Sequence, residues 1–281
     1  PTINSTFAPG QTDLSDGELA LGILDLPYAI PNLQAESCKA EGHSRIGWFR
    51  AVSNVPHAFA ISSFIDELAH EAGKDPRDFI LELLGPDRIV DMTRVGAVKP
   101  VDNYGDTWDA HPLDTARYRK VLEVVTQAAG WGKKLPKGEG LGVAVHRSFL
   151  TYVAVVVHAR VSAKGEIVIP RVDIAMDCGF VVHPERVRSQ AEGAVIMGIS
   201  NAITSELSFR MGRVVQSNYH DYEVLRMNAA PKAIHVHLAS SGGAPGGVGE
   251  PGVPPVAPAL TNAIFAATGK RIRSLPVGRQ L

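Results

Sequence analysis

One carboxylate stands alone in the most unusual stretch of this 281-residue chain. Residues 240–255 read SSGGAPGGVGEPGVPP, with six glycines, four prolines and a single acid, Glu250. Glycines permit positive φ and let backbone approach a ligand closely, while prolines stiffen the flanks. The stretch joins a strand-like run to an apolar helix-like run, so it is expected to pack rather than float as a linker. A carboxylate on a packed loop loses water and suits general base catalysis. The plain alternative is a surface turn whose glutamate faces water, and composition does not separate the two. Phosphate binding fits less well. The loop lacks the Lys-Ser/Thr ending of a Walker loop, and no acidic residue follows it in a strand–helix–strand unit.

Two further stretches hold groups that favour oxygen or anion ligands. In RIGWFRAVSNVPHAF, Arg50 lies just before a helix start, where backbone amides are free; the alternative is pairing with a nearby carboxylate. In RSQAEGAVIMGIS, Gln190 precedes two glycines on an otherwise apolar helix, so its amide is expected to meet something buried and polar, or simply backbone. His235 and His237 alternate on one strand and share a face, but no third ligand lies nearby, which disfavours a metal. His146 and Ser148 have no identifiable triad partner, so a hydrolase is a weak alternative.

Several elements must position these groups. Ala58, Ile61, Ile65, Leu68 and Ala72 recur at spacings of three and four, predicting a helix capped by Asn54, with Pro56 in its first turn and Gly73 as its end. A shorter helix follows, capped by Asp75, with Pro76 first, Phe79, Ile80, Leu83 and Leu84 inward and Gly85 as stop. A third runs from about Asp114 to Ala129, with Tyr118, Val121, Leu122 and Val125 as its stripe. Residues 95–112 lack a period and read as a surface excursion, and the opening segment as strands and loops. GWGKKLPKGEG is the best boundary, dividing the chain into 1–135 and 136–281. Beyond it LGVAVH, TYVAVVVHARV and EIVIPRVDIAMD read as strands, the last two joined by a hairpin at SAKG. PERVRSQAEGAVIMGISNAI reads as a helix, Met211-Gly212 as a hairpin, KAIHVHLAS as a strand and VPPVAPALTNAIFAATG as a final helix. The class is α+β, mixed sheets with packed helices, without regular alternation.

Composition narrows the function classes. A formal net charge of −1 with mixed signs makes nucleic acid an unlikely partner. Two distant cysteines, Cys38 and Cys178, cannot alone ligate an iron–sulfur cluster. No run approaches the ~20 apolar residues of a membrane span. The start has neither signal-peptide character nor a methionine, which suggests a processed chain, a truncated one, or part of a larger unit.

Taken together, GWFRAVSNVPHAFAISSFIDELAHEAGKDP, MDCGFVVHPERVRSQAEGAVIMGIS and GGVGEPGVPPVAPALTNAIFAATGKRIRSLP resemble the molybdenum-binding subunit of the xanthine dehydrogenase family. The nearest branch is that of isoquinoline 1-oxidoreductase and membrane-associated aldehyde dehydrogenase large subunits, and the likeness runs from about Leu26 to the C-terminus. The resemblance implies the molybdenum-cofactor-binding α+β fold of that family and a molybdopterin-dependent oxidoreductase acting on an aldehyde or N-heterocycle. It implies that Glu250 is the base that deprotonates the molybdenum-bound hydroxyl. It further implies that Arg50 offers its backbone amide beside the metal, that Val52 lines the substrate pocket and that Gln190 contacts the pterin. Ala51, Gly247, Val248 and Gly249 complete the cofactor contacts, and no side chain here ligates the metal. Ala51 stands where many relatives have glycine. The family's Gly-Gly-x-Phe-Gly and Gly-Gln-Gly loops are missing, so the chain is expected to be roughly the C-terminal two-fifths of a subunit. The implied cofactor is molybdopterin, as its cytosine dinucleotide. The implied partners are the N-terminal portion of the same subunit, a [2Fe–2S] subunit and a cytochrome c subunit. The likeness favours a periplasmic or membrane-associated site over a cytoplasmic one. The rival reading is an inactive structural or cofactor-binding fragment that needs its N-terminal partner.

Overall fold

The computed structural model of the protein describes residues 19–36, 47–94, 101–278 and 280–281. Cys38 and most of the opening segment lie outside these residues. Residues 19–36 contain no strand, only a 3-10 turn, further turns and irregular backbone, where strands and loops were expected.

Helix α1 spans Asn54–Glu71, α2 Pro76–Leu84 and α3 Thr115–Ala129. The local signals hold for α2 and α3. Asp75 accepts from the Asp78 N–H and Asp114 from the Ala116 N–H, while Gly85 and Gly130 end the helices at positive φ. Helix α1 departs from expectation. Its cap position is Ser53, and its buried line is Asn54, Ala58, Ser62, Ile65 and Ala69, leaving Leu68 exposed. The rotation has a polar cause: it carries Asn54 inward to His146 and Asp66 inward to Arg271.

Strands β1 (Glu139–Ser148), β2 (Thr151–Val161) and β3 (Ile167–Asp177) form an antiparallel meander. The predicted SAKG turn joins β2 to β3. Helix α4 (Pro184–Ile203) follows, then the small hairpin of β4 (Phe209–Arg210) and β5 (Arg213–Val214), and then β6 (Ile234–Leu238). Strand β6 pairs parallel with β3, giving the order β1-β2-β3-β6. Helix α5 (Val256–Thr268) closes the fold.

The two faces of the sheet carry two apolar clusters, because alternate side chains point to opposite faces. Val153, Val155, Val157, Val172 and Ile174 meet α4 and α5, while Val143, Val145, Tyr152, Ala154 and Val156 meet Leu113, Tyr118, Val121 and Val125. The second cluster thus unites side chains from both sides of the 135/136 boundary. Helix α5 lies so close on β1 that a Cβ at Gly142 would stand 2.1 Å from the Ala263 nitrogen. Strand β1 therefore needs glycine where it meets that helix.

Residues 101–112 are only in part the surface excursion that their missing period suggests: Asp102, residues 105–107, Asp109 and Ala110 are exposed, but the stretch also turns inward. Asn103 and His111 are buried, and their oxygens accept from the fully buried Arg147 guanidinium. This stretch without period supplies the two oxygens that Nη2 of a buried cation donates to, which is why polar residues interrupt its pattern.

Candidate active site

The Arg50, Gln190 and Glu250 stretches converge. The segment before α1 makes a tight turn in which Ala51 (φ 74°) and Val52 (φ 50°) are both left-handed. For a β-branched valine this conformation is a genuine outlier, costing on the order of 1–3 kcal/mol, and such strain gathers at functional sites. The turn presents the Ala51 N–H to Glu250 Oε1 at 3.1 Å. Arg50 spans the gap above it: Nε donates to the Gly249 carbonyl at 2.6 Å, and Nη2 to Gln190 Oε1 at 2.9 Å and the Gln190 carbonyl at 3.2 Å. Burial lowers the pKa of this guanidinium, and the nearby Glu250 charge partly restores it.

Gln190 is exposed on α4 rather than aimed into the interior, and its polar partner is Arg50. Val52 is partly buried, its N–H donating to the Phe49 carbonyl. Gly247, Val248 and Gly249 lead into Glu250. The glycine stretch divides in two: residues 240–245 are exposed, whereas 248–250 are half-buried and 251–260 fully buried against α4 and the sheet. Packing therefore reaches Glu250 from its C-terminal side. No atom lies within 4 Å of where a Gly249 Cβ would stand, so the loop opens on to free space beside the carboxylate.

Two anchors hold this stretch. At its start Asp177, 1% exposed, accepts both nitrogens of Arg117 at 2.8 and 2.9 Å, the Gly179 N–H, and the Ser241 N–H and hydroxyl. Burial alone would raise the Asp177 carboxyl, but these donors outweigh it and hold the pKa below the usual carboxylate range. Nearer Glu250 the anchor is the β1–β2 turn, which carries no glycine or asparagine. Phe149 (φ 50°) and Leu150 (φ 67°) take the two left-handed positions of a tight two-residue hairpin. The Phe149 carbonyl accepts from the Gly247 N–H at 2.8 Å, and the Thr151 hydroxyl donates to the Gly247 carbonyl at 2.6 Å. Phe149 packs with Ala51, Ala194 and Val253. The residues SFLT do not announce this turn, because the usual hairpin residues are missing; the only cue is two strong strand runs with two residues between them.

The remaining candidates fall elsewhere. His237 Nε2 lies 2.9 Å from Asp173 Oδ1, and Asp173 also binds Arg171, so this histidine belongs to an ion-pair group. His146 Nε2 meets Asn54 Oδ1 at 2.9 Å and not Ser148, which is fully buried on the same strand. Burial, then the neighbouring His57 and Arg147, push the His146 pKa down to about 3, so it is a neutral structural group. Cys178 is buried and free. Among the described residues no helix is long and apolar enough to cross a membrane.

The chain is also similar to known proteins. A family model of the molybdopterin cofactor-binding domain matches residues 107–231. A nicotinate dehydrogenase subunit of Pseudomonas putida is 33% identical over 242 residues, 83% of this chain and 19% of the relative. The beta subunit of isoquinoline 1-oxidoreductase from Brevundimonas diminuta is 28% identical over 255 residues, 89% of this chain and 29% of the relative. The chain thus spans less than a third of the length of these relatives, a smaller share than the expected two-fifths. Among solved structures, the aldehyde oxidoreductase of Desulfovibrio gigas superposes with a TM-score of 0.65 at 12% identity, over 94% of this chain and 44% of that one. That likeness establishes the α+β fold.

Proposed function

Since the chain belongs to the xanthine dehydrogenase family of molybdopterin-binding subunits, we propose that it forms the base-bearing part of a molybdenum hydroxylase that oxidises an aldehyde or an N-heterocycle. The observation that carries this reading is the convergence on Glu250. The Ala51 N–H holds one carboxylate oxygen, while Arg50 ties the glycine loop to Gln190.

The residues present fit the molybdenum cofactor. Gln190 offers an exposed amide and Arg50 a partly exposed guanidinium, and the backbone at Gly249 opens on to unfilled space. These residues, with Ala51, would hold the pterin, as its cytosine dinucleotide, and Val52 would border the substrate. When bound, the cofactor supplies the redox chemistry and the oxygen that is transferred. The chain supplies orientation and proton management. The Ala51 N–H bonds Oε1 of Glu250, so in this reading Oε2 is the oxygen that would accept the proton. The strained turn fixes that N–H, so the carboxylate is aimed before substrate arrives and little reorganisation remains. Arg50 keeps the loop from swinging away and balances the carboxylate charge.

In this reading the loops absent here would come from the N-terminal portion of the subunit, which would complete the site. The partners proposed are a [2Fe–2S] subunit and a cytochrome c subunit, which would take up the electrons. The isolated 281-residue chain is accordingly expected to bind molybdopterin poorly, and stoichiometric molybdenum in it would count against this assembly.

The decisive experiment is Glu250→Gln in the complete enzyme, with molybdenum content and the rate of reduction by an aldehyde or N-heterocycle measured together. Glutamine is nearly isosteric and keeps the Ala51 bond, but it takes no proton. The rate is expected to fall by ~10²–10⁴-fold at unchanged molybdenum. Near-normal reduction of the metal-replete variant would remove Glu250 from the mechanism.

A further inference from the structure

A second connection joins the two loops of the site, independent of the Ala51–Glu250 contact. It begins at Asn54, three residues past Ala51, whose side-chain oxygen accepts from the Tyr104 hydroxyl at 3.1 Å. The Tyr104 ring lies against Phe149, with centroids 4.8 Å apart and planes tilted by 39°, and the Phe149 N–H faces the Tyr104 oxygen. From the other side of the same turn, the Phe149 carbonyl and the Thr151 hydroxyl take both the N–H and the C=O of Gly247. Gly247 is three residues before Glu250. The fit is close: a Cβ at Gly246 would stand 2.7 Å from both the Leu150 carbonyl and the Thr151 hydroxyl.

We propose that Tyr104, Phe149 and Thr151 are positioning residues for Glu250, tying the glycine loop to the start of α1 through the left-handed β1–β2 turn. The proposal rests on the reading of Glu250 as the base. None of the three touches the carboxylate. They act by fixing where the loop begins its approach, as Arg50 fixes where it ends. A loop held at Gly247 by both backbone groups cannot slide along the turn. A carboxylate three residues further on then keeps its distance to the reacting atoms, and displacements of about 1 Å at such a distance cost on the order of 10²-fold in rate.

The test uses the complete enzyme with Tyr104→Phe, Thr151→Val and Thr151→Ser. Tyr104→Phe and Thr151→Val are each expected to lower kcat roughly tenfold or more, with KM within about twofold and molybdenum content unchanged. Thr151→Ser keeps the hydroxyl and is expected to restore most of the loss. The double variant Tyr104→Phe/Thr151→Val is expected to lose less than the product of the single losses, because both break one connection. Hydrogen exchange over residues 242–253 supplies a readout that needs no turnover: exchange is expected to quicken in Thr151→Val but not in Thr151→Ser. Wild-type kcat in both Tyr104→Phe and Thr151→Val, or unchanged exchange in Thr151→Val, would overturn the proposal. Should Thr151→Val fail to assemble, the nearly isosteric Tyr104→Phe decides by the same two measurements. If Glu250→Gln proves active, the functional reading fails, and the exchange result still decides whether this connection holds the loop.

Discussion

The backbone N–H of Ala51 donates to Oε1 of Glu250 at 3.1 Å across 199 positions of sequence. Each partner lies on a segment held from behind. Ala51 sits in a left-handed turn that runs into α1, and Glu250 sits at the point where an open glycine stretch becomes buried. The contact is therefore a meeting of two fixed walls, and changes in either wall should be read at the other.

Arg50→Lys tests the bridge between the walls. Lysine keeps the charge but replaces a planar fork with a single point donor, so it cannot serve Gly249 and Gln190 together. Turnover of the complete enzyme is expected to drop roughly tenfold while the melting temperature changes little, since this side chain is only partly buried. Steady-state kinetics beside a thermal melt separate the two effects, and an unchanged rate would show that the bridge is dispensable.

Asp177→Asn probes the anchor at the far end of the glycine stretch. The substitution leaves the Arg117 guanidinium facing a neutral group in a site where Asp177 is 1% exposed. Removing one partner of a buried pair costs about 3–5 kcal/mol, so denaturant unfolding of the variant should lose stability of that order. The depressed Asp177 pKa adds a pH signature. Its contribution is present above the unfolded value near 4 and is lost as pH falls through the folded value, so the difference between wild type and variant should shrink in acid.

Gly142→Ala should disturb the helix that follows Glu250. Its Cβ would stand 2.1 Å from the Ala263 nitrogen, so α5 must move off β1. Overpacking of this kind costs about 1–3 kcal/mol and sometimes more. A melt showing full wild-type stability would mean that α5 does not press on β1 at this glycine.

Two buried groups give the protein opposed responses to acid. His146 has its pKa lowered to about 3, so its contribution is complete above the unfolded value near 6.5 and declines as pH falls from there. Asp25 has its pKa raised to about 6, chiefly by burial and against the lowering effect of Arg147. Its contribution is therefore present below the unfolded value near 4 and is lost as pH rises through 6. Between pH 7 and pH 5 the two nearly offset each other. Asp25→Asn leaves the histidine response alone, and the variant is expected to lose about 2 kcal/mol over that interval. His146→Gln leaves the aspartate response, and its stability is expected to rise over the same interval. Denaturant titrations of both variants at the two pH values check the signs.

What the sequence by itself determined is what a few neighbouring residues can settle. Asp75 with Pro76, and Asp114 with Gly130, set the ends of α2 and α3 because a cap bonds an N–H two or three positions away. The β-branched runs set β1, β2 and β3, and Met211-Gly212 set the small hairpin, through equally local preferences. The Gly-x-Gly-Glu and Phe-Arg stretches were legible as motifs, and so was their kinship. Only the tertiary structure decided how those motifs meet. The left-handed turns at Ala51–Val52 and Phe149–Leu150 run against the preferences of their residues, and contacts from distant segments hold them there. Spacing assigns Leu68 inward, yet the polar partners of the buried Asn54 and Asp66 turn α1 so that it faces water. The aperiodic stretch around Asn103 gave no sign of burial, because what it binds is Arg147, a cation 44 positions further on. Spacing reports preferences over one or two turns of chain, whereas a buried hydrogen bond or charge draws its partner from wherever the fold brings one.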